Sequence, residues 1–358
     1  MAIIKNPTIV MAGENKLNKL LTKTITSATA EDMQGVTKIE SYTFANCSSL
    51  SSLSLPSTLT NIGSYAFESC TGLTSLDIPA NTTTIGVNAF INCTGLNTIT
   101  VDSGNTAYSG TGNCLIRKSD RVLIKGSNNS IIPSDGTVTN IGFGAFRGHT
   151  LLTSITIPND ITLMSEYAFA ASGVTNFTFE ANSQLTQIDS YAFGDCPMTT
   201  IDLPSSLTNL GSAAFYGSGL VNITLPDGVT TLKGQTFREC RDLETIILGT
   251  GLTRIMSIVF TDCDKLETVV IKNTNSVITL DDNTSFNVGS QIMSFYIPYA
   301  LIDTYKTATN WINYASKFKP AVATVADLSS IDTNSYTQAW VYATSKIYIY
   351  DGTQWSEV

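Results

Sequence analysis

Six of the seven cysteines, Cys47, Cys70, Cys93, Cys196, Cys240 and Cys263, stand three residues after a phenylalanine, each time in the same local text. His149, Ser172 and Ser218 hold the equivalent place in other copies of that text. Thiols repeated at one position can bond to each other if neighbouring copies stack about 4.8 Å apart, a spacing within disulfide reach. Side chains that project in parallel, and an odd number of cysteines, favour free thiols, small and weakly polar, supporting a backbone from inside. His149 is the only histidine, so a Ser-His-Asp triad or a histidine metal cluster would rest on it alone. Asp281-Asp282-Asn283 lacks the spacing and the glycine of a calcium loop and is expected to be a solvated loop. No phosphate-binding Gly-Lys motif and no nucleophile elbow occurs. The residue types predict no catalytic site, no metal and no cofactor.

What positions the thiol column is a repeat. Its landmark is a phenylalanine, usually preceded by alanine, at Phe44, Phe67, Phe90, Phe146, Phe169, Phe193, Phe215, Phe237 and Phe260, in steps of 23, 23, 56, 23, 24, 22, 22 and 23. A fixed period of this size signals a solenoid whose units are stable only when stacked. Five residues before each phenylalanine stands Ile39, Ile62, Ile85, Ile141, Met164, Ile188, Leu210, Leu232 or Ile255. After most of them comes a leucine, then an alternating pair such as Leu76/Ile78 or Ile155/Ile157. Alternation predicts one short strand per turn in a parallel sheet. Pro56, Pro79, Pro158, Pro204 and Pro226 then stop the strand, because proline cannot donate to the ladder.

The text L-x-x-L-x-L-P-x-x-L-T-x-I-G-x-x-A-F-x-x-C resembles the leucine-rich repeat of the BspA-like type, over roughly residues 38–297. That resemblance implies a leucine-rich repeat solenoid with a short parallel β-sheet and a right-handed superhelix. It also implies a non-enzymatic protein of bacterial surfaces, extracellular, that adheres to proteins or host cells.

Around the array, residues 1–37 are expected to form an N-terminal cap, with Ile3, Ile4, Ile9, Val10, Leu17, Leu20 and Leu21 covering the first turn. Thr29-Ala30-Glu31-Asp32 reads as a helix start. The first ten residues do not read as a secretory signal, and no apolar run has transmembrane length, so no membrane insertion is expected. The 56-residue step marks an insertion at about 102–130, a β-hairpin turning at Lys118-Ser119-Asp120, serving as a structural excursion or a binding arm. Residues 298–320 change to helical spacing: Leu301, Ile302, Tyr305 and Ala308 share one face, and Asn310 is placed to cap a second segment bearing Trp311, Ile312, Ala315 and Phe318. Residues 321–358 hold two aromatic runs and the turn Asp351-Gly352, a small aromatic β-meander similar to short modules of phage virion proteins.

Charged residues are 14% and the net charge is −9, which argues against nucleic acid or anionic lipid as partner. Two features suit recognition of a protein or glycan. Tyr42, Tyr65, Tyr167 and Tyr191 stand two residues before their phenylalanines, where they can stack on a ligand or merely support the corner of the turn. The outward sheet positions are mostly Ser, Thr, Asp and Asn, but Ile247, Val270 and Tyr296 make an apolar strip near the end of the array. That strip is either the centre of an external binding site or the dock of the C-terminal module. A recognition or adhesion scaffold is the function expected, with a phage or prophage virion component that binds host surfaces as the alternative.

Overall fold

In the computed structural model, residues 25–286 and 293–358 are described, so the apolar residues assigned above to the start of the N-terminal cap lie outside the described residues. The chain forms two compact units, one up to Ser183 and one from Gln184. Each is a solenoid of parallel strands.

In the first unit, the alternating segments pair in register: Ser27–Ala28 with Ser52–Leu53, Ser75–Ile78 with Thr98–Val101, and Ser154–Ile157 with Asn176–Phe179. Leu76, Ile78, Ile99, Ile155 and Ile157 point inward and are buried. Parallel pairing starts at Ser27, inside the segment expected to be a cap. Thr29-Ala30-Glu31-Asp32 forms a turn rather than a helix: the Asp32 carboxylate accepts from Thr29 N and Oγ1 at 3.0 and 2.7 Å, but Val36 and the next strand at Lys38 follow at once. The prolines that end strands also open turns, since the carbonyls of Pro56, Pro79 and Pro158 accept from the amide three residues on.

A second stack of strands, two residues each in the regular turns, runs through the isoleucine column. Lys38–Ile39, Asn61–Ile62 and Thr84–Ile85 pair in parallel in the first unit, as do Thr231–Leu232, Arg254–Ile255 and Thr279–Leu280 in the second. Gly63 is needed between two such turns, because a Cβ there would stand 2.4 Å from Ser41 N of the preceding turn.

From there the chain rounds a corner that holds two residues in the left-handed region, two before and two after each phenylalanine. Tyr42 and Asn46 (φ 62° and 64°), Tyr65 and Ser69 (56° and 56°), and Tyr191 and Asp195 (55° and 55°) are examples. Such a conformation costs roughly 1–2 kcal/mol for an L-residue. Asn, Asp and Gly recur there because they tolerate it best: Asn88, Asn92, Gly144, Gly148, Gly217 and Asp262. The cost is offset by hydrogen bonds to the next turn, as from Tyr42, Phe44 and Asn46 N to the carbonyls of Ser64, Ala66 and Glu68 at 3.1, 2.7 and 2.7 Å.

Inside the corner the phenylalanine rings form face-to-face stacks. Within the first unit Phe44, Phe67 and Phe90 lie 5.0 and 5.3 Å apart, and Phe146 and Phe169 4.9 Å apart. In the second, Phe193, Phe215, Phe237, Phe260 and Phe286 are spaced 5.3, 5.4, 5.6 and 5.0 Å.

The insertion is not an excursion. Tyr108–Ser109, Leu115–Arg117 and Val122–Lys125 form an antiparallel set, and Val122–Lys125 then pairs in parallel with Asn140–Ile141. The hairpin thus joins the second stack through Val122–Lys125. Where regular stacking stops at Ile85, the Tyr108 hydroxyl accepts from Ile85 N at 2.8 Å in place of a strand carbonyl.

The second unit uses the same device at its end. Tyr305 Oη accepts from Ile278 N at 3.0 Å, and Trp311 Nε1 donates to Ile278 O at 2.6 Å. These residues sit on the short helix Ile302–Thr307 and the 3-10 helix Trp311–Lys317, which close the ring stack through Phe286, Phe295 and Phe318. Two expectations are corrected here. Asn310 stands at the N-cap position but makes no side-chain cap; its amide donates to Leu280 O and Asp281 O at 2.7 and 3.0 Å, because its left-handed φ of 64° turns it back onto the last turn. Ile312 faces outward, as a 3-10 helix brings residues three apart, not four, onto one face, and Trp311 takes the inner position.

The long-strand sheet of this unit continues past the repeats. Asn222–Thr224, Thr245–Leu248, Thr268–Ile271, Ser294–Pro298, Phe318–Val322 and Gln338–Val341 are parallel neighbours in that order. Lys346–Tyr350 and Trp355–Glu357 then add antiparallel, forming the meander. Pro320, the last residue of the segment expected to be helical, lies within the strand Phe318–Val322; the neighbour at 338–341 pairs only with Ala321 and Val322, so no donor is required at the proline.

Candidate functional site

The thiol column is interior and occupied. Cys70 and Cys93 donate from Sγ to the carbonyls of Phe44 and Phe67, one turn back, at 3.1 and 3.0 Å; Cys240 and Cys263 do the same to Phe215 and Phe237 at 3.0 Å each. Each thiol thereby ties one corner to the previous one. All seven cysteines are buried thiols, none of them in a disulfide. Burial pushes the thiols of Cys114 and Cys240 up to about 12 and raises Cys263 as well. With the thiolate disfavoured, these sulfurs are poor nucleophiles. A thiol reagent is expected to label none of the seven within minutes at neutral pH and all of them after unfolding.

His149 fills the same column beside the hairpin. It is fully buried, with Nδ1 3.0 Å from Asn128 Oδ1. The Asn128 amide donates to Thr94 O and Asn97 Oδ1 at 3.1 Å each, so its oxygen accepts and Nδ1 carries the imidazole proton. Burial and the nearby Lys125 push the imidazole down to about 2. Lys125 is buried too, its ammonium without a hydrogen-bond partner, and burial pushes it down to about 8. The hairpin therefore places a cation where regular turns are apolar.

That placement has a pH signature. Lys125 binds its proton less tightly when folded than when unfolded, so stability is lowest below pH 8 and rises as pH climbs from about 8 toward 10.5. The full rise is about 3 kcal/mol at 1.36 kcal/mol per pH unit. Denaturant melts across that range should show it, and Lys125→Met should remove it while stabilising the protein at pH 7.

Among the described residues no group of three or more His, Cys, Asp or Glu side chains is gathered to hold a metal ion. The carboxylates of the Asp281-Asp282 loop are engaged by protein: Asp281 pairs with Arg254 at 2.8 Å, and Asp282 accepts from Ser257 and, at 2.8 Å, from Thr284 N.

The tyrosine column lies at the first left-handed corner position. Tyr42, 56% exposed, stacks on Tyr65 at 5.0 Å, and Asn88 donates to the Tyr65 hydroxyl at 3.1 Å. Tyr167 packs against the edge of Phe143 at 5.6 Å and under Arg147 at 5.0 Å. In the second unit Tyr191 meets Tyr216 at 5.6 Å, and Tyr216 donates to the Glu239 carboxylate.

The strip residues are brought together but face the chain's own C-terminal strands. Ile247, Val270 and Tyr296 are aligned by strand register. Val270 and Tyr296 are 0% and 2% exposed, and Ile247 is half-buried. Trp340 lies over Tyr296 at 5.9 Å, Ala321 and Ile347 complete the cluster, and Tyr342 donates to Ile271 O.

The open surface is the rest of the long-strand face. In the first unit Ser75/Asp77 stand beside Thr98/Thr100, with Thr100 Oγ1 donating to Asp77 at 2.7 Å, and Ser154/Thr156 stand beside Asn176/Thr178. A groove of about 700 Å³ runs along Ser154, Thr156, Asn176, Thr178 and Glu180. Two largely exposed apolar side chains, Ile131 and Leu151, border it. The second unit has a groove of about 500 Å³ along Thr200, Asp202, Asn222, Thr224 and Asp227, with Lys272 beside it.

The sequence matches the BspA type leucine rich repeat region (6 copies) over residues 21–114, 124–193 and 174–293, well over half of the chain. The chain belongs to the BspA-type leucine-rich repeat family. The match also covers residues 21–37, assigned above to the cap, where parallel pairing begins. Solved structures agree on the fold of this BspA-type chain. A leucine rich cell surface protein from Faecalibacterium prausnitzii is 29% identical, with a TM-score of 0.50 over 69% of this chain and 61% of that chain. The pneumococcal vaccine antigen PcpA is 17% identical, with a TM-score of 0.56 over 82% of this chain and 65% of that one. A leucine-rich repeat protein from Eubacterium ventriosum is 19% identical, with a TM-score of 0.52 and coverages of 73% and 76%. The chain therefore spans less than two thirds of the length of the first two relatives. No functionally curated protein shows significant sequence similarity to it. No helix among the described residues is long and apolar enough to cross a membrane.

Proposed function

We propose that this BspA-type repeat is a non-enzymatic recognition and adhesion scaffold. It binds a protein or glycan through the outward face of its long strands and works outside the cell, as the Faecalibacterium cell surface protein's description suggests for that relative. The observation that carries this reading is the first-unit groove, where the hydroxyls of Ser154, Thr156 and Thr178 and the amide of Asn176 stand in strand register, with Glu180 and the exposed Ile131 and Leu151 also lining it. Hydroxyls and amides satisfy a ligand's polar groups, and flanking apolar side chains cover the faces of sugar rings or peptide side chains. The apolar strip of Ile247, Val270 and Tyr296 is read as the internal dock of the C-terminal strands, and the paired tyrosines as corner supports with Tyr42 available to a ligand. A phage virion role gains no support from the related structures.

Printed arrays of surface glycans and of host extracellular-matrix proteins test the proposal, with wild type beside Thr156→Arg/Thr178→Arg. Outward strand substitutions of this kind usually change stability by less than about 0.5 kcal/mol. Binding by wild type that the double variant loses, with unchanged melting, supports the face; equal binding by both moves recognition elsewhere.

A further inference from the structure

The hairpin joins the isoleucine stack through Val122–Lys125 but does not build the corner that every regular turn carries. From Val122–Lys125 the chain passes straight inward: Gly126 N donates to Ala145 O at 3.0 Å, and a Cβ on Gly126 would stand 1.9 Å from the Phe146 ring.

The missing corner leaves a notch of about 170 Å³ between the corners at 86–91 and 142–144. Its walls are mainly apolar: Val87, Ile91, Val122, Ile124 and Phe143. Val87 is 69% exposed and Phe143 40% exposed, so two large apolar side chains stand uncovered where the notch opens. Lys125 also lines it, buried and with its ammonium unpaired. The other lining cation, Arg117, is held by Asp120 through two hydrogen bonds from Nε and one from Nη2, at 2.9, 3.1 and 2.8 Å.

An apolar cavity of roughly 150 Å³ is enough to take one benzene ring. A buried ammonium without a partner is stabilised most by a carboxylate brought to it in the same apolar surroundings. We propose that the notch is a binding site for a small aromatic carboxylate, its ring between Val87 and Phe143 and its carboxylate directed toward Lys125. The site is separate from the sheet-face grooves and independent of the function proposed for them.

Saturation-transfer NMR and calorimetry on the full chain test this with benzoate, using benzyl alcohol and benzylamine as neutral and cationic probes. Benzoate should bind at least tenfold more tightly than benzylamine, with benzyl alcohol between them. Lys125→Met should abolish the preference for benzoate while leaving benzyl alcohol bound. Val87→Trp, at an exposed position that does not threaten folding, should fill the mouth and weaken all three probes at least tenfold. No binding of benzoate, or benzoate binding that neither variant alters, would overturn the proposal.

Discussion

Phe215→Ala and Phe67→Ala are each expected to lower stability by about 3–5 kcal/mol, the usual cost of an aromatic cavity. Both rings are fully buried and lie face to face with neighbours on both sides, at 5.3 and 5.4 Å for Phe215 and 5.0 and 5.3 Å for Phe67. Removing either ring leaves two neighbours without a stacking partner and an Ala-Phe corner without its anchor. The corner is the part of the turn under backbone strain, so the damage should spread along it. Amide exchange should accelerate at Phe44, Asn46 and Ser69 in Phe67→Ala, and at Phe193 and Asp195 in Phe215→Ala, since these amides hold the hydrogen bonds between turns. Thermal melts within a degree or two of wild type would remove the rings from the core.

Deleting residues 323–358 is the second change of large effect. It strips Trp340, Tyr342 and Ile347 from Val270 and Tyr296 and turns Phe318–Val322 into an open sheet edge. Uncovering a contiguous apolar patch together with an unpaired edge is a recipe for association. The truncated protein should bind a hydrophobic dye and aggregate at concentrations where the full chain stays monodisperse. Trp340→Ala in the full chain should cost about 3 kcal/mol. If truncation leaves dye binding and solubility unchanged, the strip is not a dock for these strands.

Much of this was legible in the sequence because one turn repeats. The spacing of Phe44, Phe67 and Phe90 gives the period, Leu76/Ile78 the inward strand positions, and Pro79 the strand end. The isoleucine stack was harder to see, because strands of two residues, such as Asn61–Ile62, are too short to alternate. Its trace was the recurring isoleucine before glycine. The left-handed corners also left a trace, the Asn, Asp and Gly two residues after phenylalanine, masked where Ser69, Ala171 or Glu239 stands instead. The hairpin's antiparallel strands were readable from Lys118-Ser119-Asp120, but nothing local showed that Val122–Lys125 would join the parallel stack. That pairing depends on Asn140–Ile141, beyond the insertion. Lys125 carries a sequence signal of its own, a lone cation in an apolar run, Val122-Leu123-Ile124-Lys125, at a position the fold buries. The grooves are a property of stacked strands, so no single turn shows them.

The outward strand face is the recognition surface in this proposal, and one titration tests it most directly. Whatever ligand the arrays identify is titrated in parallel into wild type, Thr156→Arg/Thr178→Arg, Asp202→Arg/Thr224→Arg and Trp340→Ala, all checked for folding. The proposal predicts that at least one face variant binds tenfold or more weakly while Trp340→Ala binds as wild type does. Undiminished affinity in both face variants, with loss in Trp340→Ala, would contradict it.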